Sequence, residues 1–93
     1  MSKVILKGYL LVPDEDLAAV RRELPIHFEL SKLEKGCLAF DVAFDTDNPN
    51  RINIYEEFRD KEAFDFHNAR MAGSDWKKTA RNVESHIQIT GLD

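Results

Sequence analysis

The side chain best suited to chemistry in this sequence is His67. An imidazole exchanges protons near neutral pH, so it can act as a general base or acid without a metal. It lies seven residues after Asp60, a residue type that caps helices well. A helix starting there places Ala63, His67 and Met71 on one stripe. Ala63 is small and apolar and should face the core, which turns His67 inward as well. A histidine satisfied by a carboxylate is also an ordinary core residue, so the inward direction serves both readings. Glu56 is the carboxylate the pattern offers. Strand alternation sets it between Ile54 and Phe58 on the core side, where an unpaired carboxylate is costly. Its expected partner is His67 or a backbone donor near the second helix. If it pairs with His67, it orients the ring and raises its basicity.

An aromatic set surrounds this pair in the sequence. Phe40, Phe44, Phe64, Phe66 and Trp76 fall on the hairpin and the later helices, and Tyr55 adjoins Glu56. Phe40, Phe44, Tyr55, Phe64 and Trp76 are the candidate contacts for a planar organic ligand, although much of the set must also be plain core. Trp76, just after Gly73-Ser74, is the candidate rim or lid. His27 is expected at the surface or the pocket mouth, and His86 at a sheet edge or subunit interface. The histidines lack ligand spacing such as H-x-x-x-H, so no metal site is expected. Cys37 has no neighbouring base and should be a buried, inert thiol. No Gly-rich phosphate loop or nucleotide fingerprint is present, so no cofactor is expected.

The elements that must position these residues follow from periodicity. Val4 to Val12 is almost wholly apolar, with Lys7 the exception, as expected of a central strand buried on both faces. Pro13-Asp14 ends it, with Asp14 as N-cap of a first helix. Leu17, Val20 and Leu24 recur at helical spacing, Pro25 should kink or restart the helix, and Ile26, Leu30 and Leu33 continue the stripe to Gly36. Cys37 to Phe44 alternates, with Leu38, Phe40, Val42 and Phe44 on one face. Turn residues fill 45–50, and Ile52 to Phe58 returns as a hairpin strand. A second helix runs from Asp60 to about Ala72, a short third one carries Trp76, and Glu84 to Thr90 is the last strand. The order β-α-β-β-α-(α)-β predicts one α+β domain over residues 1–93. Its form is a ferredoxin-like split β-α-β sandwich: a four-stranded antiparallel sheet with helices on one face. The other face needs cover, and a second copy packed sheet to sheet, a dimeric α+β barrel, would supply it.

Bulk properties narrow the partners. Thirteen basic residues face seventeen acidic ones, for a formal net charge of -4. The longest basic runs are the pairs Arg21-Arg22 and Lys77-Lys78, which argues against nucleic acid or an anionic membrane. A lone cysteine needs no oxidising compartment. With no membrane-length apolar run and no secretory h-region, the expectation is a soluble cytoplasmic protein.

Three stretches resemble the antibiotic biosynthesis monooxygenase family of dimeric α+β barrels. Ser31-Lys-Leu-Glu-Lys-Gly-Cys-Leu38 is similar to the family's Ser/Thr-Arg-x-Glu-Pro-Gly-Cys segment, with Lys32 and Lys35 in place of Arg and Pro. Tyr55-Glu-Glu-Phe58 resembles Tyr-Glu-x-Trp, with Phe58 for Trp. Asp60-Lys-Glu-Ala-Phe-Asp-Phe-His67 matches Asp-x-Glu-Ala-(apolar)-x-x-His. The resemblance implies a cofactor-free monooxygenase of a quinol-like aromatic, with His67 as base. A haem-degrading branch uses an inward Asn on the first strand and a Trp on the second helix; Gly8 and His67 stand there in this chain, which disfavours that chemistry. The same fold would also serve a non-catalytic dimer that binds a small hydrophobic metabolite, or an isomerase of a small oxygenated signal molecule with His67 as proton shuttle.

Overall fold

β-Branched and aromatic side chains favour extended backbone, and Val4–Leu11, which carries Val4, Ile5 and Tyr9, forms strand β1. It pairs antiparallel with β3 (Arg51–Phe58) on one side and β4 (Glu84–Thr90) on the other. β2 (Cys37–Phe44) lies outside β3, so the strand order is β2-β3-β1-β4. Helix α1 (Leu17–Lys32) joins β1 to β2, while α2 (Lys61–Ala72) and the short α3 (Asp75–Thr79) join β3 to β4. The computed structural model describes residues 2–92. Its architecture is the four-stranded antiparallel α+β, ferredoxin-like arrangement expected from the order of elements.

The core lies between the helices and one sheet face. Leu6 and Leu10 of β1, Phe40 of β2 and Ile54 of β3 are buried there with Val20 and Leu24 of α1. On the opposite face of β1, Ile5, Tyr9 and Leu11 are half-buried and Lys7 is exposed. The first strand is therefore central but covered on one face only within the chain.

The start and course of α1 differ from expectation. Asp14 belongs to a 3-10 turn, Asp14–Asp16, and does not cap α1. Its carboxylate instead accepts a hydrogen bond from Asn50 Nδ2 at 2.7 Å, tying the end of β1 to the hairpin turn. Pro25 produces no restart, and α1 runs unbroken through it. The ring sits on the exposed side of the helix, where its lost hydrogen bond leaves no buried group unpaired. The buried stripe is Val20, Leu24, His27 and Ser31. Ile26, Leu30 and Leu33 point outward, at 54%, 45% and 78% exposure. Two polar residues thus occupy the stripe that apolar periodicity assigns to leucine and isoleucine.

Strand β2 carries a second departure. Its register with β3 shifts between Cys37 and Ala39, which leaves Leu38 outside the alternation and exposed. Two glycines permit close approaches. A Cβ at Gly8, where φ is +155°, would collide with the carbonyl oxygen of His86 on β4. A Cβ at Gly36 would collide with the Cβ of Ala63, so Gly36 lets α2 press onto the loop between α1 and β2.

Candidate functional site

That contact places the site. Asp60 caps α2 through Ala63 N–H, 2.9 Å from Oδ1, and Arg59 N–H donates to Gly36 O at 2.8 Å. The first turn of α2 is thereby fixed against the segment carrying Glu34. One turn further along α2, His67 meets that residue. His67 Nδ1 lies 3.0 Å from Glu34 Oε2, and both side chains are almost fully buried. Arg70, one turn beyond His67, donates from Nε to the same oxygen at 2.6 Å and from Nη2 to Ser31 Oγ at 2.9 Å. A carboxylate can only accept, so the network assigns the proton to Nδ1. Burial holds His67 below the ordinary histidine range, against the opposing pull of Glu34. The ring is then neutral at neutral pH, with a free lone pair on Nε2.

His67 forms part of the wall of a cavity of about 400 Å³ between the helices and the sheet. Phe40 and Trp76 supply aromatic walls, His27 and Glu56 join His67 as its buried ionisable groups, and Lys77 and Arg81 also lie on its lining. His27 is buried at 6% exposure and lines the cavity, so of its two expected positions the surface is ruled out and the pocket side is the one observed. Its ring stacks on Trp76 at 4.9 Å and 8°, and lies 5.8 Å from the ring of His67. Burial, then the neighbouring His67 and Arg70, push it down to about 4. Glu56 faces the core between Ile54 and Phe58, as alternation predicts. Burial, then the Glu34 carboxylate, push it up to about 7. The carboxylate bonded to His67 is therefore Glu34, and the expected Glu56–His67 pair does not form. The reason is positional: the Gly36–Ala63 contact brings the loop to His67 Nδ1.

Other candidates are dispersed. Phe44 and Tyr55 line a separate groove along β2 and β3. Tyr55 sits on the opposite face of β3 from Glu56, and its hydroxyl donates to Glu57 Oε2 at 2.6 Å. Phe64 packs on Phe58 at 5.7 Å in a separate part of the core. Phe66 is 62% exposed. His86 lies on the edge strand β4, stacked on Tyr9 at 4.8 Å. Burial, then Glu34 and Glu56, push the Cys37 thiol up, which disfavours a reactive thiolate. Among the described residues there is no His/Cys/Asp/Glu group able to hold a metal, and no helix is long and apolar enough to cross a membrane.

Two participants, Glu34 and Arg70, escaped sequence reasoning as site residues. Glu34 lay within the Ser31–Leu38 segment, where its signal was a glycine two residues later that brings the helix close. Arg70 follows His67 by three residues, a spacing that sets both on one helical face.

A family model described as antibiotic biosynthesis monooxygenase matches residues 4–80. Among curated proteins, none matches the chain in sequence. A proposed antibiotic biosynthesis monooxygenase from Nitrosomonas europaea superposes with a TM-score of 0.79 at 20% identity, covering 97% of this chain and 89% of that one. Another so described, from Bacteroides thetaiotaomicron, gives 0.78 at 19% identity over 99% and 89% of the two chains. A conserved protein from Methanosarcina mazei Go1 gives 0.74 at 19% identity over 100% and 95%. At these identities the structural likeness is one of fold.

Proposed function

The chain belongs to the antibiotic biosynthesis monooxygenase family, and on that premise we propose that it is a cofactor-independent monooxygenase of a small, quinol-like aromatic. The observation that carries the reading is the buried His67, with Nδ1 held by Glu34 and Nε2 left as a proton acceptor beside an aromatic-walled cavity. A phenolic O–H gives its proton to Nε2. The electron-rich phenolate passes one electron to O₂, and the radical pair closes to a C–O bond. Loss of water leaves a new carbonyl. One oxygen atom enters the substrate and the other leaves as water, so a quinol and O₂ give a hydroxylated quinone and H₂O. The substrate supplies all four electrons. The protein supplies a base, a fixed geometry and exclusion of water.

Oxygen uptake with a panel of hydroquinones, each assayed with wild type and His67→Ala, tests the reading. The expected result is uptake by wild type that collapses in the variant while the fold is retained. No uptake with any member of the panel would overturn it. An isomerase of a small oxygenated molecule is the second reading, favoured by the juxtaposition of a proton acceptor, His67, with the carboxyl of Glu56 in one cavity. It predicts product formation without O₂. A purely binding role predicts thermal stabilisation by ligand and no product at all. The half-buried sheet face around Tyr9 supports a homodimer packed sheet to sheet.

A further inference from the structure

Two buried polar side chains in the cavity have no protein partner. Neither ring nitrogen of His27 makes a hydrogen bond to the described residues; Nδ1 is enclosed by protein, which leaves Nε2 as the nitrogen a cavity ligand can reach. Glu56 is buried at 6% exposure, and no hydrogen bond or cation contributes to holding its carboxyl. Buried polar groups in native proteins are nearly always paired, so an orphan at a cavity wall marks the place of an absent partner. His27 comes from α1 and Glu56 from β3, whereas His67 comes from α2, so the three reach the same space from separate elements. His27 is also held in orientation by its stack on Trp76.

We infer that His27 and Glu56 form a second anchoring point, which grips a substrate oxygen other than the one His67 deprotonates. The substrate class then narrows to compounds with two oxygen functions, the second an uncharged hydroxyl or carbonyl. This rests on the reading of the cavity as the substrate site, but on none of the oxygen chemistry. The electrostatics of the wall agree. Glu56 shares the cavity wall with His27 from α1, His67 from α2, and Lys77 and Arg81, and it is electrostatically coupled to Glu34 of the loop after α1 and to Cys37 of β2. Arg70 is engaged by Glu34 and Ser31. Below about pH 7 the Glu56 carboxyl is protonated and offers an O–H donor. His27 is neutral above about pH 4. A pair of uncharged groups suits a neutral oxygen better than a carboxylate or phosphate.

Trp76 is the sole tryptophan, and its stacking on His27 makes its fluorescence a reporter of cavity occupancy. The probes are 1,4-dihydroxynaphthalene and 1-naphthol, which differ by one hydroxyl, titrated anaerobically into the full chain at pH 6. Wild type should prefer the diol by roughly tenfold, the worth of one good hydrogen bond. Glu56→Gln, which keeps a donor, should retain the preference. Glu56→Leu and His27→Phe should lose it while binding 1-naphthol within about twofold of wild type. His67→Ala should weaken both probes in parallel. Raising the pH from 6 to 8.5 turns Glu56 from a donor into an acceptor, so it should change the size of the preference in wild type and leave that of Glu56→Gln unchanged. Melting curves verify that each variant folds, and the near-isosteric Gln variant keeps the test intact if the Leu variant does not. Equal binding of both probes by wild type, parallel weakening of both in the Leu and Phe variants, or no binding of either probe would overturn the inference. A diol preference without oxygen uptake would sink the monooxygenase reading and leave the anchor standing. Oxygen uptake without a diol preference would do the reverse.

Discussion

His67 Nδ1 and Glu34 Oε2 meet at 3.0 Å, although 33 positions separate the two residues in the chain. The bond fixes which imidazole nitrogen carries the proton and which one is free. The same Glu34 oxygen receives Arg70, so a single carboxylate atom locks two polar side chains of α2. Arg70 in turn binds Ser31 Oγ, which fastens α2 to the end of α1.

Loss of the base should be felt in turnover and little in fold. His67→Ala is expected to lower kcat/KM for oxygen uptake by about 100-fold or more, the usual scale for a positioned general base. Stopped uptake with an unchanged far-UV circular dichroism spectrum is the measurement. A rate within twofold of wild type would remove His67 from the chemistry.

Removing Glu34 should act on stability and on proton affinity together. Glu34→Ala leaves Arg70 and His67 without their common acceptor, and a cost of about 3 kcal/mol is expected in denaturant melts. Glu34→Gln should be milder in stability. It should also lower the pKa of His67, because the carboxylate is the group that raises it. The acidic limb of the kcat/KM profile should therefore move to lower pH, and a histidine ring resonance followed by NMR should move with it.

The close approach at Gly36 can be tested by a pair of reciprocal changes. Gly36→Ala places a methyl where Ala63 already stands and should cost about 1–3 kcal/mol. Ala63→Gly costs about 1 kcal/mol through helix propensity. The double variant should be more stable than the sum of the two predicts, since the removed methyl makes room for the added one. Strict additivity in urea melts would show that the contact does not control the seating of α2.

Much of this organisation could be read from residue order, and the failures have physical causes. Alternation in β3 placed Glu56 between Ile54 and Phe58 correctly, and Asp60 caps α2 as its position before Ala63 suggests. Periodicity failed on α1 because it counts apolar residues, while the buried stripe includes His27 and Ser31. Ser31 is satisfied by Arg70, a partner on another helix that no local pattern reveals. Leu38 was misassigned because a bulge shifts the alternation by one residue. Glu34 was missed as a site residue for the same reason as Ser31. Its partners are distant in sequence, and only the glycine that admits α2 hints at them.

Stability should depend on pH through two cavity groups of opposite sign. Glu56 has a raised pKa of about 7 in the folded chain, so its protonated form favours folding, and that contribution is lost as pH rises from 4.5 through 7. His27 is lowered to about 4, so its contribution is present above 6.5 and is lost as pH falls toward 4. Glu56→Gln should therefore gain on wild type as pH rises, by on the order of 2 kcal/mol at pH 8.5, and the gap should close below pH 5. His27→Phe should be relatively favoured at pH 4. Thermal melts across this range decide both.

The uncovered sheet face gives the last prediction. Tyr9 stacks on His86 and lies under the guanidinium of Arg51, 4.0 Å from ring to Cζ. The proposed dimer buries this surface, so wild type should scatter light as a dimer at micromolar concentration, and Tyr9→Glu should shift it toward monomer. A wild type that is monomeric under those conditions would refute sheet-to-sheet association.

The irregularity at Leu38 bears on what this sheet can grow into. β2 is an edge strand, and a foreign strand hydrogen-bonding along it would lose register at the extra residue and meet an unpleated stretch of backbone. β4, the other edge, runs from Glu84 to Thr90 in unbroken register beside β1. The sheet thus has one blunted margin and one bare margin. Edge-to-edge pairing of two copies is therefore expected along β4 before β2.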